Sequence, residues 1–468
     1  MQRNHHAEET LANETAQDGR TRVQQRSANI ASNSARPVEG FLTSALAPVS
    51  ALLFSVSLLL MGNGLLGTLV PVRGNMESFS PIELGLLGTA YFLGFTFGCL
   101  QGPLLVRRSG HIRAYLAMTS LASAVALLHA LYVDPVAWWV LRAITGYCFA
   151  ILYIVIESWL NARSNNRTRG TVFSIYTAIN LTVITAGQMM LGLADPESFS
   201  LFAFAAILVS LAAIPIAFTG SASPEQPEFV RPRIAKLFRI SPVGAAGCFA
   251  VGLANGAFWT LGPVFAQNGG FGLNEIAVFM SAVVLGGALA QWPLGSLSDR
   301  MDRRIVMIFA AVVAMVAALV LMAVPATDKM MMVVAGAVFG AGAFPLYALA
   351  VAHANDHADS SQSVEVSSGL LLIYGLGAAA GPLLASLWGE LLNAPSLFFF
   401  TAAVHLVLIG YVVWRMSQRV RQEPEQRVHF AEAVIVAQMV LPIEPAAVSA
   451  ETANLAKAEA EQQAAHAA

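Results

Sequence analysis

The stretch Ser281–Val324, SAVVLGGALAQWPLGSLSDRMDRRIVMIFAAVVAMVAALVLMAV, decides the fold. Two apolar runs, 275–297 and 304–325, are separated by a short link holding Asp299, Arg300, Asp302 and Arg303 beside Arg304. A helix needs about 20 mostly apolar residues to cross ~30 Å of hydrocarbon, and each run is long enough. The pattern predicts two antiparallel helices in a bilayer, with the charges gathered at its surface. The rest of the 468 residues reads the same way: 56% are apolar and only 12% are charged, against about 25% charged in soluble domains. A mean hydropathy of +0.63 excludes a string of soluble domains of roughly 150 residues each.

The same ruler finds twelve runs, near 45–71, 81–106, 113–133, 136–161, 170–194 and 199–219, then 243–266, 275–297, 304–325, 330–355, 366–390 and 395–415. The expected organisation is a polar N-tail (1–44) read as disordered and a first six-helix half (45–219). A linker (220–242), a second half (243–415) and a C-tail (416–468) follow. Residues 1–44 lack the apolar core of a cleavable signal peptide, so the first span is expected to remain as an anchor. Lys and Arg are retained on the cytoplasmic side. With both termini inside, 23 of the 26 cations fall on that side, leaving Arg73 and Lys329 outside and Arg142 within a span. A net charge of −2 argues against nucleic-acid binding, which calls for a basic surface. Cys99, Cys148 and Cys248 lie far apart in apolar runs and read as small buried hydrophobes.

The halves superpose as sequences at a shift of 192 residues. Asn63-Gly64 meets Asn255-Gly256, Thr68 meets Thr260, Pro71 meets Pro263, and Arg108 meets Arg300. At a shift of 194, Gly146 meets Gly340 and Tyr153 meets Tyr347. Units of six spans share one membrane topology, so the repeat predicts a pseudo-two-fold axis along the membrane normal with a polar path between the halves.

Gly295-Ser-Leu-Ser-Asp299-Arg300-Met-Asp-Arg303-Arg304 resembles the loop signature Gly-x-Leu-x-Asp-Arg-x-Gly-Arg-Arg of the major facilitator superfamily, departing from it at Asp302. The first-half copy, 103–112, is degenerate, with Arg107 in place of the Asp and Pro103 in place of the first Gly. Arg142-Ala-Ile-Thr-Gly146 resembles the family's Arg-x-x-x-Gly signature. Gly375-Leu-Gly-Ala-Ala-Ala-Gly381-Pro382 resembles the Gly-Pro motif that antiporters carry in the fifth span, but stands in the eleventh, so drug/proton exchange is not supported. Ile156-Glu157-Ser158 before a basic loop is similar to the YcaD-like bacterial branch. The resemblance covers 45–415. It implies an all-α membrane protein of twelve transmembrane helices in two halves, both termini cytoplasmic, in the bacterial inner membrane. It further implies a monomeric secondary transporter of a small organic solute, working by alternating access with protons as coupling ion and without a cofactor. No Gly-x-x-x-x-Gly-Lys-Ser/Thr run points to ATP.

Arg142 and Glu157 lie inside the fourth span, where a central charge costs on the order of 2.5–3.5 kcal/mol. They are about 22 Å apart along the helix and about 60° apart around it, too far to pair but on one face. Arg142 is expected to be a substrate or coupling residue, and Glu157 a latch or proton-handling carboxylate. The alternatives are an Arg bonded to helix carbonyls and a Glu reaching the inner surface. Asn63 and Asn255 stand at matching places and hydrogen-bond either a polar solute or a neighbouring helix. Tyr176, Asn180 and Gln188 fall near one face of the fifth span, with Tyr374 a counterpart in the eleventh; Gln291 and Trp292 are weaker candidates. A cytoplasmic gate is expected from Asp299, Arg300 and Arg303 against Asp356, with Glu157 facing Arg107 or Arg108 in the first half. His353 and His357 have a zinc-compatible spacing but read as solvated helix-end residues, and no metal site is expected. The other readings are an enzyme, which lacks a nucleophile–base or metal constellation here, and a non-transporting sensor or scaffold.

Overall fold

The computed structural model describes residues 49–164, 168–218, 234–325, 327–358, 363–392 and 396–418. The chain divides into Met1–Ser50, almost wholly outside the described residues, and Ala51–Ala468. The tail expectations lie outside the described residues.

Twelve spans are present among the described residues: α1 (Ser50–Met76), α2 (Pro81–Ser109), α3 (His111–Leu131), α4 (Pro135–Arg163), α5 (Gly170–Leu193) and α6 (Ser200–Ala217) in the first half. The second half has α7 (Pro242–Asn268), α8 (Leu273–Arg300), α9 (Arg303–Ala323), α10 (Lys329–Asn355), α11 (Glu365–Leu391) and α12 (Leu397–Met416). A short linker helix, Ile234–Ile240, precedes α7. Even numbers of spans put the ends of α1 and α12 on one side, here called the tail face; the other is the far face.

Local chemistry starts the helices. Ser80 caps α2 in a reciprocal box with Glu83, and Pro81, Pro135 and Pro242 occupy the first turns of α2, α4 and α7. There a missing N–H costs nothing. Asp134 and Asp328 accept the orphan amides of Ala137 and Met331, as N-caps do. Prolines inside the spans differ in effect. The sequence reading ends the first span at Pro71, but the helix runs on to Met76, and Pro263 at the matching place is also internal. Neighbouring helices can re-satisfy the backbone such a proline frees. In α10 the helix does break, at Phe344 before Pro345.

The repeat is written into the packing. A methyl group placed on Gly94 of α2 would strike the Ala143 backbone of α4, and one on Gly146 would strike the Tyr91 backbone. In the second half, Gly286 meets Ala337 and Gly340 meets Val283, at the same shifts of 192 and 194. Gly64 against Ile184 and Gly187 against Met61 join α1 to α5; Gly256 against Ala378 and Gly381 against Leu253 join α7 to α11. Small residues let helices approach where lipid gives no hydrophobic drive for association.

The halves meet along α2 and α11, where Thr89 donates to the Ala379 carbonyl at 2.7 Å, and where Gly375 packs on Thr96 and Gly85 on Ser386. The equivalent α5–α8 seam brings Gly192 against Asn274. At the far face Asn75 Nδ2 donates to Gln267 Oε1 at 2.9 Å and to Asn268 Oδ1 at 3.0 Å. Asn75 and Gln267 are themselves 192 apart, so one position of the repeat meets its own mate there.

Candidate functional site

Arg142 and Glu157 both project from the unbroken α4 and both are buried, at 8% and 1% exposure. They form two separate centres. The Arg142 guanidinium lies over the Tyr91 ring of α2, 4.5 Å from its centroid. Asn63 of α1 stands beside the Tyr91 hydroxyl, and His129 of α3 is within electrostatic range. A desolvated cation–π contact contributes about 2 kcal/mol, comparable with the cost of placing the charge there. The Arg142 Nε finds no hydrogen-bond partner. The helix-carbonyl alternative therefore does not describe that donor.

Glu157 lies towards the tail face, within electrostatic range of Cys99 of α2, Tyr153 of α4 and Tyr176 of α5. Tyr347 of α10, in the other half, is also within electrostatic range of it. Tyr347 packs at a tilt against Tyr374, 4.8 Å between centroids, and Tyr374 stands beside Asn255 of α7. Tyr176 stands beside Asn180 one turn along α5. Gln188 is buried near the far end of the same helix. The structure thus joins Asn63 to the Arg142 centre, Tyr176 and Asn180 to the Glu157 centre, and Asn255 to Tyr374.

Buried polar atoms without protein partners recur on these inner helices: Thr96 Oγ1, Arg142 Nε, Tyr176 Oη, Asn180 Oδ1, Gln188 Oε1 and Asn255 Oδ1. An unsatisfied buried polar group is costly and calls for water or a ligand.

At the tail face, Arg303 Nε donates to Asp356 Oδ2 at 2.7 Å and Nη1 to Ser298 at 3.2 Å, while Asp299 lies 3.4 Å from Nη2. Of the two arginines expected at Asp356, Arg303 is the one placed there, and Arg300 is exposed. Asp302, the residue that departs from the loop signature, caps α9 by accepting from the Arg304 amide and pairs with the Arg304 guanidinium at 2.8 Å. Burial pushes its carboxyl up, but the bonds from Arg304 outweigh this and hold it below the ordinary Asp value.

Three expectations differ from the structure. Arg107 and Arg108 are exposed, and no ion pair among the described residues joins either to Glu157. Glu157 turns instead into the tyrosine cluster between helices. Trp292 is 81% exposed, on the outside of α8 where lipid would lie. His353 is buried against His357 rather than solvated, and the His357 Nδ1 bonds its backbone carbonyl.

Sequence reasoning passed over Tyr91, Tyr347 and the Asn75–Gln267 contact. The repeat already paired Tyr153 with Tyr347, and the same register lays Asn75 on Gln267. Tyr91 has no such signal, because Val283 stands at its mate.

Comparison with known proteins agrees with this geometry. The family model described as Major Facilitator Superfamily matches residues 52–280 and 244–453. The MFS-type transporter YcaD of Escherichia fergusonii is 26% identical over 367 residues, covering 77% of this chain and 94% of YcaD. The nucleoside transporter NupG (D323A mutant) has a similar structure, with a TM-score of 0.69 at 12% identity, over 79% of this chain and 99% of that one. A bacterial homologue of the human lysosomal transporter Spinster, inward-facing and unoccupied, gives 0.61 at 14% identity, over 85% and 97%.

Proposed function

This chain, a multi-pass protein of the bacterial inner membrane, belongs to the major facilitator superfamily, and from that premise we propose that it carries a small organic solute by alternating access, coupled to protons. The observation that carries the reading is the set of partnerless buried polar atoms on the inner helices. In a bilayer protein such atoms are expensive unless water or a solute visits them. Tight glycine contacts hold each half together internally, so residues 45–219 and 243–415 rock as two bodies about the 220–242 linker. With both termini cytoplasmic, the Asn75–Gln267 contact closes the external side. Arg142, Asn63, Asn255, Tyr374, Gln188, Tyr176 and Asn180 supply solute contacts.

Glu157 is the proton-handling carboxylate; what supports this is that it is the buried acid within electrostatic range of tyrosines of both halves. Its access to water changes as the halves move. The gate is Arg303 with Asp299 and Asp356, and the unit is a monomer.

Uptake of labelled nucleosides, sugars and organic acids into proteoliposomes, with and without a pH gradient, tests the reading. Saturable flux stimulated by the gradient is expected, with Glu157→Gln losing the stimulation while retaining exchange. Absence of saturable flux across the panel sinks it in favour of a scaffold.

A further inference from the structure

We infer that the solute is an organic anion whose negative group is bound by Arg142; this rests on the transport reading above. Acidic residues are all but missing from the first six spans. α1, α3, α5 and α6 contain none, α2 has only Glu83, and α4 only Glu157. Glu83 is committed to the cap of α2, where its Oε2 accepts from the Ser80 amide at 2.7 Å. It is eight residues, about 12 Å, from Tyr91 along the helix. Glu157 is about 22 Å from Arg142 along α4. Among the described residues no carboxylate forms an ion pair with Arg142. One cation is therefore buried in this half with no anion in reach.

What does touch Arg142 is of the wrong kind to neutralise it. The Tyr91 ring lies under the guanidinium carbon, 4.5 Å from its centroid, and offers a π face but no anion. The donors lie in the plane, at the edge, and Nε is buried there without an acceptor. Tyr91, with Asn63 at its hydroxyl, adds only neutral polar groups, and His129 adds none of the missing charge. A planar fork with open edge donors matches a carboxylate or similar oxyanion, which can accept two parallel bonds. A cationic solute would be repelled, and a neutral one would leave the buried charge unanswered.

The test uses purified full-length protein and thermal unfolding. The probes are benzoate, lactate, succinate and citrate, their neutral amides benzamide and lactamide, and choline, all at one ionic strength. Saturable stabilisation by at least one acid and none by its amide or by choline is expected, and Arg142→Gln should abolish it. Arg142→Lys keeps the charge and loses the fork, and should weaken half-saturation roughly tenfold; it decides the matter if the Gln variant does not fold. Equal stabilisation by acid and amide, an acid effect that survives Arg142→Gln, or no stabilisation by any acid overturns the inference. Saturable flux of neutral solutes that ignores Arg142 also overturns it while leaving the transport reading intact. Acid binding without any flux does the reverse.

Discussion

At the scale of single residues, scarcity makes the important side chains visible. Arg142 and Glu157 are legible in the sequence as charges inside one apolar helix, and a rise of 1.5 Å per residue already forbids their pairing. Their partners were not legible. Arg107 stands at the repeat position of Asp299, so a first-half gate needs an acid from elsewhere and Glu157 is the obvious one, but complementary charge does not fix the direction of a buried side chain. It turns into the protein, and the two arginines remain at the surface. Tyr91 carries no charge and matches no motif, so only packing shows that it supports Arg142. Replacing Tyr91 by Leu should lower stability by about 1–2 kcal/mol, read as a drop in melting temperature. Tyr91→Phe, which keeps the ring, should cost less than about 0.5 kcal/mol on the same grounds. Equal losses in both would assign the effect to the hydroxyl beside Asn63.

Element by element, the twelve spans follow from length and hydropathy alone, and most ends fall where caps and prolines put them. The internal prolines do not behave as stops, because a proline ends a helix only where the freed carbonyl finds no better answer than leaving the helix. Pro71 and Pro263 are tolerated, whereas α10 breaks at Pro345. Asp302 shows how a departure from a motif can be structural: an acid replaces the Gly of the loop signature and starts α9. Asp302→Ala should cost about 1 kcal/mol as a lost cap, and release Arg304. Because Arg304 holds this carboxyl below its ordinary value, the contribution is complete above about pH 4. It fades as the pH falls through the folded-state value. The wild-type and Asp302→Ala melting curves should therefore converge on acidification below about pH 4, and a gap that stays constant would show that the charge on Asp302 is immaterial.

For the whole molecule, the repeat gives both the architecture and its working seam. Matching glycine contacts bind each half internally, whereas the halves touch through hydroxyl, amide and glycine contacts along α2–α11 and α5–α8. Asn75→Ala should loosen the far face, since one side chain supplies both amide bonds there. With the three native cysteines replaced, a cysteine reporter at Ser386, buried under Gly85, should react several times faster with a membrane-impermeant thiol reagent; an unchanged rate would show that the amides do not hold the seam. Asn75 and Gln267 also have a meaning of another kind. Two copies of one position meeting is how an isologous contact looks on a two-fold axis. A symmetric pair of six-helix chains would make the same contact, one residue facing its own copy. In a single polypeptide the two amides are free to differ, and they differ by one methylene. Cutting the chain between 220 and 233 removes neither, so halves made separately retain a matched point of reassembly.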